Sequence, residues 1–327
     1  MSLQRWIPTP GPGRVTLALL AVIPAVMAYP WRSPRDYWLL GIAAAVVLVL
    51  FGCWRGLYLT TLLRRRLAIV SRGGAAAPES PTATTALLRV GAAGGDADAL
   101  PLPLLAGYLD RYGIRADTIR ITSRDNASDA SRRETWIGLT ISAADNLAAL
   151  RARSARVPLH ETAQVVARRL ADHLRELGWE VTGVAADDVP RLLTANARES
   201  WSGVHRGASD YLAAYQVPLD GQLAETLRAI RAHPARETCT ALEIAGDATR
   251  NTVAVACAFL TDTPPGRTAP PAGLIPQRGN HRPALAALDL LSTQRLDGHT
   301  EAPAGLLAEL DWPTVGAAVP VAETART

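Results

Sequence analysis

Lysine is absent from the chain: all 34 basic residues among its 327 are arginine. A GxxxxGK[ST] phosphate loop therefore cannot occur, and neither a GxGxxG turn after a strand nor a GxSxG elbow is present. Cysteine is scarce. Cys53, Cys239 and Cys257 show no CxxC or metal-ligand spacing, which argues against a disulfide scaffold and suits a reducing compartment. The six histidines (160, 173, 205, 233, 281 and 299) are scattered. His160-Glu161 opens like an HExxH zinc motif, but Gln164 stands where the second histidine belongs. These histidines read as surface or capping residues.

Acidic pairs are nearly as uninformative. Asp96-Ala97-Asp98 has the DxD spacing with which some glycosyltransferases hold a metal and a sugar nucleotide, so a membrane-tethered transferase is the alternative reading. Asp187-Asp188 is explained by helix-dipole preference alone. No catalytic, cofactor-binding or metal-binding residue is assigned, and no small-molecule substrate is expected.

The net charge of +4 invites a nucleic-acid partner until it is divided along the chain. Residues 1–72 hold nine Arg against Asp36 alone, whereas residues 73–327 hold 25 Arg against 29 acids. A nucleic-acid footprint would put the positive stripe on the folded domain, which here is mildly acidic.

The basic excess surrounds two apolar runs free of charge, residues 15–29 (VTLALLAVIPAVMAY) and 38–54 (WLLGIAAAVVLVLFGCW). Tyr29, Trp31, Tyr37, Trp38 and Trp54 stand at their ends, where amphipathic rings favour the headgroup zone. This pattern predicts a transmembrane helical hairpin over 15–63, with spans at about 15–30 and 38–56, behind a leader at 1–14. Met27 interrupts the small-residue pattern that a signal-peptide cleavage site needs, and a second apolar run follows closely. Arg55 and the cluster Arg64, Arg65 and Arg66 dominate the charge near the span ends, so both termini are expected in the cytoplasm. The cluster acts as a topological stop and can hold anionic lipid. Small residues in the second run (Gly41, Ala44, Ala45, Gly52) permit close approach of a partner helix in lipid.

Residues 64–82 form a basic juxtamembrane segment and small-residue linker. Residues 83–262 then read as an α+β, sandwich-like cytosolic domain. Strands are expected at 84–90, 114–124, 134–142, 179–184, 213–217, 238–246 and 251–262, from alternation and β-branched content. Helices are expected at 101–113, 158–178 and 218–233, each with apolar residues three or four apart, with a weaker one at 189–197. Strand–helix–strand–strand order occurs twice, which predicts helices over a mainly antiparallel sheet. Residues 263–327 are Pro-rich, with one short helix at 281–291.

Several stretches, GYLDRYGI, RITSRD, DNLAALRARSARVPL, VARRLADHLRELGW, AAYQV, TCTALE and HRPALAALDLLSTQRLDG, together with the amino-terminal hairpin, resemble the EccE family. EccE is a membrane component of mycobacterial type VII (ESX) secretion systems, and the likeness is greatest to members from the third ESX system. The resemblance implies a multi-pass inner-membrane subunit with a cytosolic domain. It would assemble with EccB, the EccC ATPase and EccD in a non-catalytic role, supporting export of effector proteins and iron acquisition.

Overall fold

The computed structural model describes residues 12–27, 29, 34–51, 53–54, 57–71, 82–93, 99–127, 129–153, 158–194, 196–207, 209–247, 250–266 and 268–314. The chain forms two compact units, residues 1–73 and 74–327.

In the first unit α1 (Pro12–Met27) and α2 (Pro34–Phe51) pack against one another. A short antiparallel pair follows, β1 (Cys53–Trp54) with β2 (Leu57–Tyr58), and then α3 (Leu59–Ser71). The expected second span to residue 56 thus stops at Phe51. Arg64, Arg65 and Arg66, expected in a basic juxtamembrane segment, lie inside α3. No helix among the described residues is long and apolar enough to cross a membrane. α1 has 16 residues with Pro24 inside it, and α2 has 18 but opens with Pro34, Arg35 and Asp36. At 1.5 Å per residue both fall somewhat short of a hydrocarbon core of roughly 30 Å.

The second unit runs β3 (Ala83–Ala93), α4 (Leu102–Ala106), β4 (Asp110–Arg111), β5 (Ile114–Arg115), β6 (Thr118–Asn126), β7 (Asp129–Ser142), α5 (Leu147–Arg153), α6 (Leu159–Glu176) and β8 (Trp179–Val184). Then come β9 (Arg198–Glu199), β10 (Val204–His205), β11 (Tyr211–Val217), α7 (Leu223–Ala232), β12 (Glu237–Gly246), β13 (Asn251–Thr261), β14 (Ile275–Pro276), α8 (His281–Leu288), β15 (Thr300–Glu301) and α9 (Leu306–Glu309). An 11-stranded antiparallel sheet dominates, in the order β8-β3-β7-β6-β12-β13-β11-β10-β9, with β14 on β11 and β15 on β13. The twice-occurring order is visible in it. β3, β6 and β7 mirror β11, β12 and β13, and the halves meet where β6 pairs with β12.

Alternation decides the two faces of the sheet. Ile119 and Ile121 of β6, Ile137 and Leu139 of β7 and Leu242 and Ile244 of β12 point to one face, under α4, α6 and α7. Pro158 opens α6, and Val166, Leu170 and Leu174 are buried along its inner side. Each such side chain contributes about 1.5–3 kcal/mol by leaving water. Cys239 and Ala241 of β12 and Ala254 and Ala258 of β13 face the other way. There Leu192, Val204 and the α8 residues Leu285 and Leu288 cover them.

Two expected helices differ. The helix expected at 101–113 ends at Ala106, because the sequence beyond Gly107 contains a two-residue hairpin. The described residues of 189–197 form no helix where a weak one is expected; a 3-10 turn, Ala186–Asp188, precedes them. Nine residues with Pro190 inside are too few to repay helix nucleation, and Val189 and Leu192 are instead buried singly.

Candidate functional site

Sequence spacing brought no catalytic groups together, but the fold brings a set of polar residues together under the carboxy-terminal segment. Glu243 of β12 is fully buried and stands opposite Arg120 of β6 in register. Arg120 Nε donates to Glu243 Oε2 at 2.7 Å and Nη2 donates to the same oxygen. The rest of the guanidinium holds backbone carbonyls beyond the sheet: Nη1 donates to Ala287 at 2.6 Å and Nη2 to Gln294 at 2.5 Å. Glu243 Oε1 accepts from the Leu296 N–H at 2.9 Å and lies 2.9 Å from His299 Nε2. His299 Nδ1 lies 3.1 Å from Thr252 Oγ1.

Thr252, His299 and Glu243 therefore line up as hydroxyl, imidazole and carboxylate, the order of a nucleophile–base–acid triad. The environment assigns them another task. An ionised carboxylate only accepts, so His299 donates through Nε2, and in the neutral ring Nδ1 accepts a hydrogen bond from the Thr252 hydroxyl. Burial pushes the Glu243 carboxyl up, but Arg120, His299 and the Leu296 N–H outweigh it and hold the group below its usual range. None of the three residues lines the cavity between α6 and β3 or the one beside Tyr215, His233 and Phe259. The cluster works as a clamp that fastens residues 287–299 to the sheet.

The remaining expectations fall as follows. His281, expected at the surface, is fully buried as the first residue of α8, and its Nδ1 accepts the Ala214 N–H at 3.1 Å. The apolar cover of α8 carries it inward. Cys239 and Cys257 are buried free thiols, and burial pushes Cys239 up to about 11. Asp96 and Asp98 lie outside the described residues, as do Arg55 and Gly52. No group of three or more potential metal ligands occurs among the described residues. One cavity of about 630 Å³ lies between α6 and β3, lined by His160, Gln164 and Arg168. A second of about 470 Å³ is walled by Tyr215, His233 and Phe259.

On the outer side of α6 a set of rings and guanidinium groups comes together. β4 and β5 are joined by Tyr112 and Gly113, with φ of 58° and 69°. Two positive values in a two-residue loop define a type I′ turn, which favours Asn, Asp or Gly at its first position. A bulky residue held there costs roughly 1–2 kcal/mol, yet Tyr112 occupies it with its side chain half exposed. The Arg169 guanidinium lies 4.7 Å from its ring centroid, and that of Arg111 lies 5.2 Å from it and 4.6 Å from Tyr108. Tyr108 is buried beneath, its hydroxyl 3.2 Å from His173 Nδ1.

The first unit shows the reverse of a water-soluble helix pair. Leu17, Leu20, Ile23, Val26 and Met27 of α1 and Trp38, Leu39, Ile42 and Val49 of α2 are exposed, while Ala18, Ala25 and Ala43 are buried. Gly41, Ala44 and Ala45 are exposed, on sides of α2 other than that of Ala43.

Residues 129–217 match the family described as "Putative type VII ESX secretion system translocon, EccE". Over 309 residues, 93% of each chain, the sequence is 63% identical to the ESX-3 secretion system protein EccE3 of Mycobacterium tuberculosis (strain CDC 1551 / Oshkosh). It is 48% identical over 287 residues to the protein of the same name from Mycolicibacterium smegmatis, covering 87% of this chain and 90% of that one. The chain belongs to the EccE family. The EccE match runs from the first residue of β7 to the last of β11, and so contains α6 with Arg169 and His173. Arg111 and Tyr112 lie ahead of it. They fall within the GYLDRYGI string, at the end of the helix expected over 101–113.

Proposed function

We propose that this chain is a non-catalytic structural subunit of the inner-membrane core of a type VII (ESX) secretion system. It assembles there with EccB, the EccC ATPase and EccD, and supports export of effector proteins and, through them, iron acquisition. The likeness over 93% of the chain to proteins named EccE3 carries this reading. The clamp supports it too, since the Thr252–His299–Glu243 array spends its carboxylate on Arg120.

The amino-terminal helices serve as the membrane anchor, with both termini cytoplasmic. What supports this is their outward-facing apolar surface and the arginines beyond it. Contiguous exposure of large aliphatic residues calls for a covering phase, and short spans are accommodated by local bilayer thinning and by snorkelling side chains. Arg64, Arg65 and Arg66 in α3, with Arg55, set the orientation and contact anionic headgroups. Gly41, Ala44 and Ala45, turned away from Ala43, together with Gly52, form the face on which a partner helix packs.

The test is affinity recovery of the full chain from gently solubilised native membranes, followed by mass spectrometry. A stoichiometric complex with an ATPase and a many-span subunit is expected; recovery of the chain alone would overturn the reading. Carbonate washing should leave the chain in the membrane pellet. Gly41→Leu with Ala45→Leu should weaken the complex, and full recovery of that variant would remove the packing face. Growth of a deletion strain under iron limitation tests the physiological part.

A further inference from the structure

We propose that the outer face of α6 and the β4–β5 turn form a docking surface for an acidic, partly apolar segment of another subunit of the secretion complex. The proposal rests on the reading of this chain as a subunit of that complex. Three observations carry it.

The first is charge. Arg89, Arg120, Arg133, Arg175, Arg236 and Arg295 each meet a carboxylate within the domain. Arg111 and Arg169 have no such partner among the described residues, nor do Arg115 and Arg168; what sets Arg111 and Arg169 apart is that their guanidinium groups are held against the Tyr108 and Tyr112 rings. In a domain with an excess of acids, two cations held in place without a carboxylate are complementary to carboxylates brought from outside.

The second is apolar exposure. Among the described residues of the second unit five large hydrophobic side chains are exposed: Tyr112, Leu147, Val165, Leu177 and Ile275. Two of them belong to this face. Val165 precedes Arg169 by one helical turn, and Tyr112 touches its guanidinium. Tyr and Arg side by side next to an exposed aliphatic residue are the composition of an interface centre.

The third is the turn. Its geometry favours Asn or Gly where Tyr112 stands, so the ring is present against the local backbone preference. The intramolecular contacts it gains are with the buried Tyr108 ring and with Arg111 and Arg169, and the two guanidinium groups remain available to a partner. An extended or helical segment with two carboxylates and an apolar residue between them would satisfy both guanidinium groups and cover Tyr112.

The experiment uses the full chain in native membranes. A benzoylphenylalanine carried at position 112 should, on illumination, cross-link to an Asp/Glu-rich segment of a co-purifying subunit. Tyr112→Asn, which suits the turn, and the pair Arg111→Glu with Arg169→Glu should each lower recovery of that subunit by roughly tenfold or more. The other subunits should still be recovered and the melting temperature of the purified chain should hold. A lipid adduct, an adduct to a second copy of this chain, or unchanged recovery in both variants would overturn this surface and leave the subunit reading intact. A wild-type chain that recovers no other subunit would overturn both.

Discussion

Arg120 and Glu243 face each other across the central strand pair of the sheet, and each reaches past its partner to hold the carboxy-terminal segment. The guanidinium holds the carbonyls of Ala287 and Gln294, and the carboxylate takes the Leu296 N–H and His299. The ion pair is thus the seam of the two half-sheets and the fastening of the layer that covers them.

Breaking this pair from one side should be costly. Glu243→Gln leaves a buried guanidinium without its counter-charge, and the expected loss is about 3–5 kcal/mol. The double variant Arg120→Met, Glu243→Leu removes both charges and should lose less than the single change. Unfolding of the detergent-solubilised chain by denaturant measures both. A double variant less stable than Glu243→Gln would mean that the carbonyl contacts of Arg120, not the pairing, hold the segment.

The same carboxylate sets a pH dependence. Its pKa is held below the usual range in the folded chain, so the unfolded chain binds the proton more tightly. The contribution is complete above the unfolded value, about 4.3, and is lost as pH falls through the folded one. Melting temperatures taken from pH 7 down to 3 should fall on the acid side. In Glu243→Gln the curve should be flatter there.

Much of this architecture was legible from local pattern. Pro158, the apolar spacing through Leu174 and the alternation from Trp179 to Val184 placed α6 and β8 because a helix and a strand each repeat on a short period. The clamp was not legible. Arg120 and Glu243 are 123 positions apart and His299 is 56 further on, so only the pairing of β6 with β12 and the return of the carboxy-terminal segment bring them together. The Tyr112 face was hidden differently. Leu104, Leu105, Tyr108 and Leu109 have helical spacing, yet the chain folds into a turn where the tyrosine takes a conformation usually left to Asn or Gly. His281 was misplaced because an isolated polar residue gives no sign of the layer that will cover it.

The two buried thiols should be inert. Burial pushes Cys239 up to about 11 and Cys257 well above its ordinary value, so almost no thiolate exists at pH 8. Peptide mapping after iodoacetamide treatment of the folded chain should find both unmodified, and alkylation should reach them only after denaturation. Labelling of Cys239 under native conditions would show that the sheet opens locally beneath α8, and labelling of Cys257 that it opens on the opposite face.

α6 allows stability and assembly to be separated on one helix. Leu170 is fully buried against the sheet, whereas Val165, five residues earlier, is 43% exposed. Leu170→Ala removes a core side chain and leaves a cavity, which should cost about 2–5 kcal/mol. For a domain of this size that lowers the melting temperature by roughly 2–4 °C per kcal/mol. Val165→Ala should change stability by no more than about 0.5 kcal/mol. If Val165→Ala nevertheless weakens recovery of a partner subunit while the melting temperature stays put, the outer face is under selection for contact. If it behaves like Leu170→Ala in the melting experiment, the exposed side of α6 contributes to the fold itself and its apolar residues need no partner to explain them.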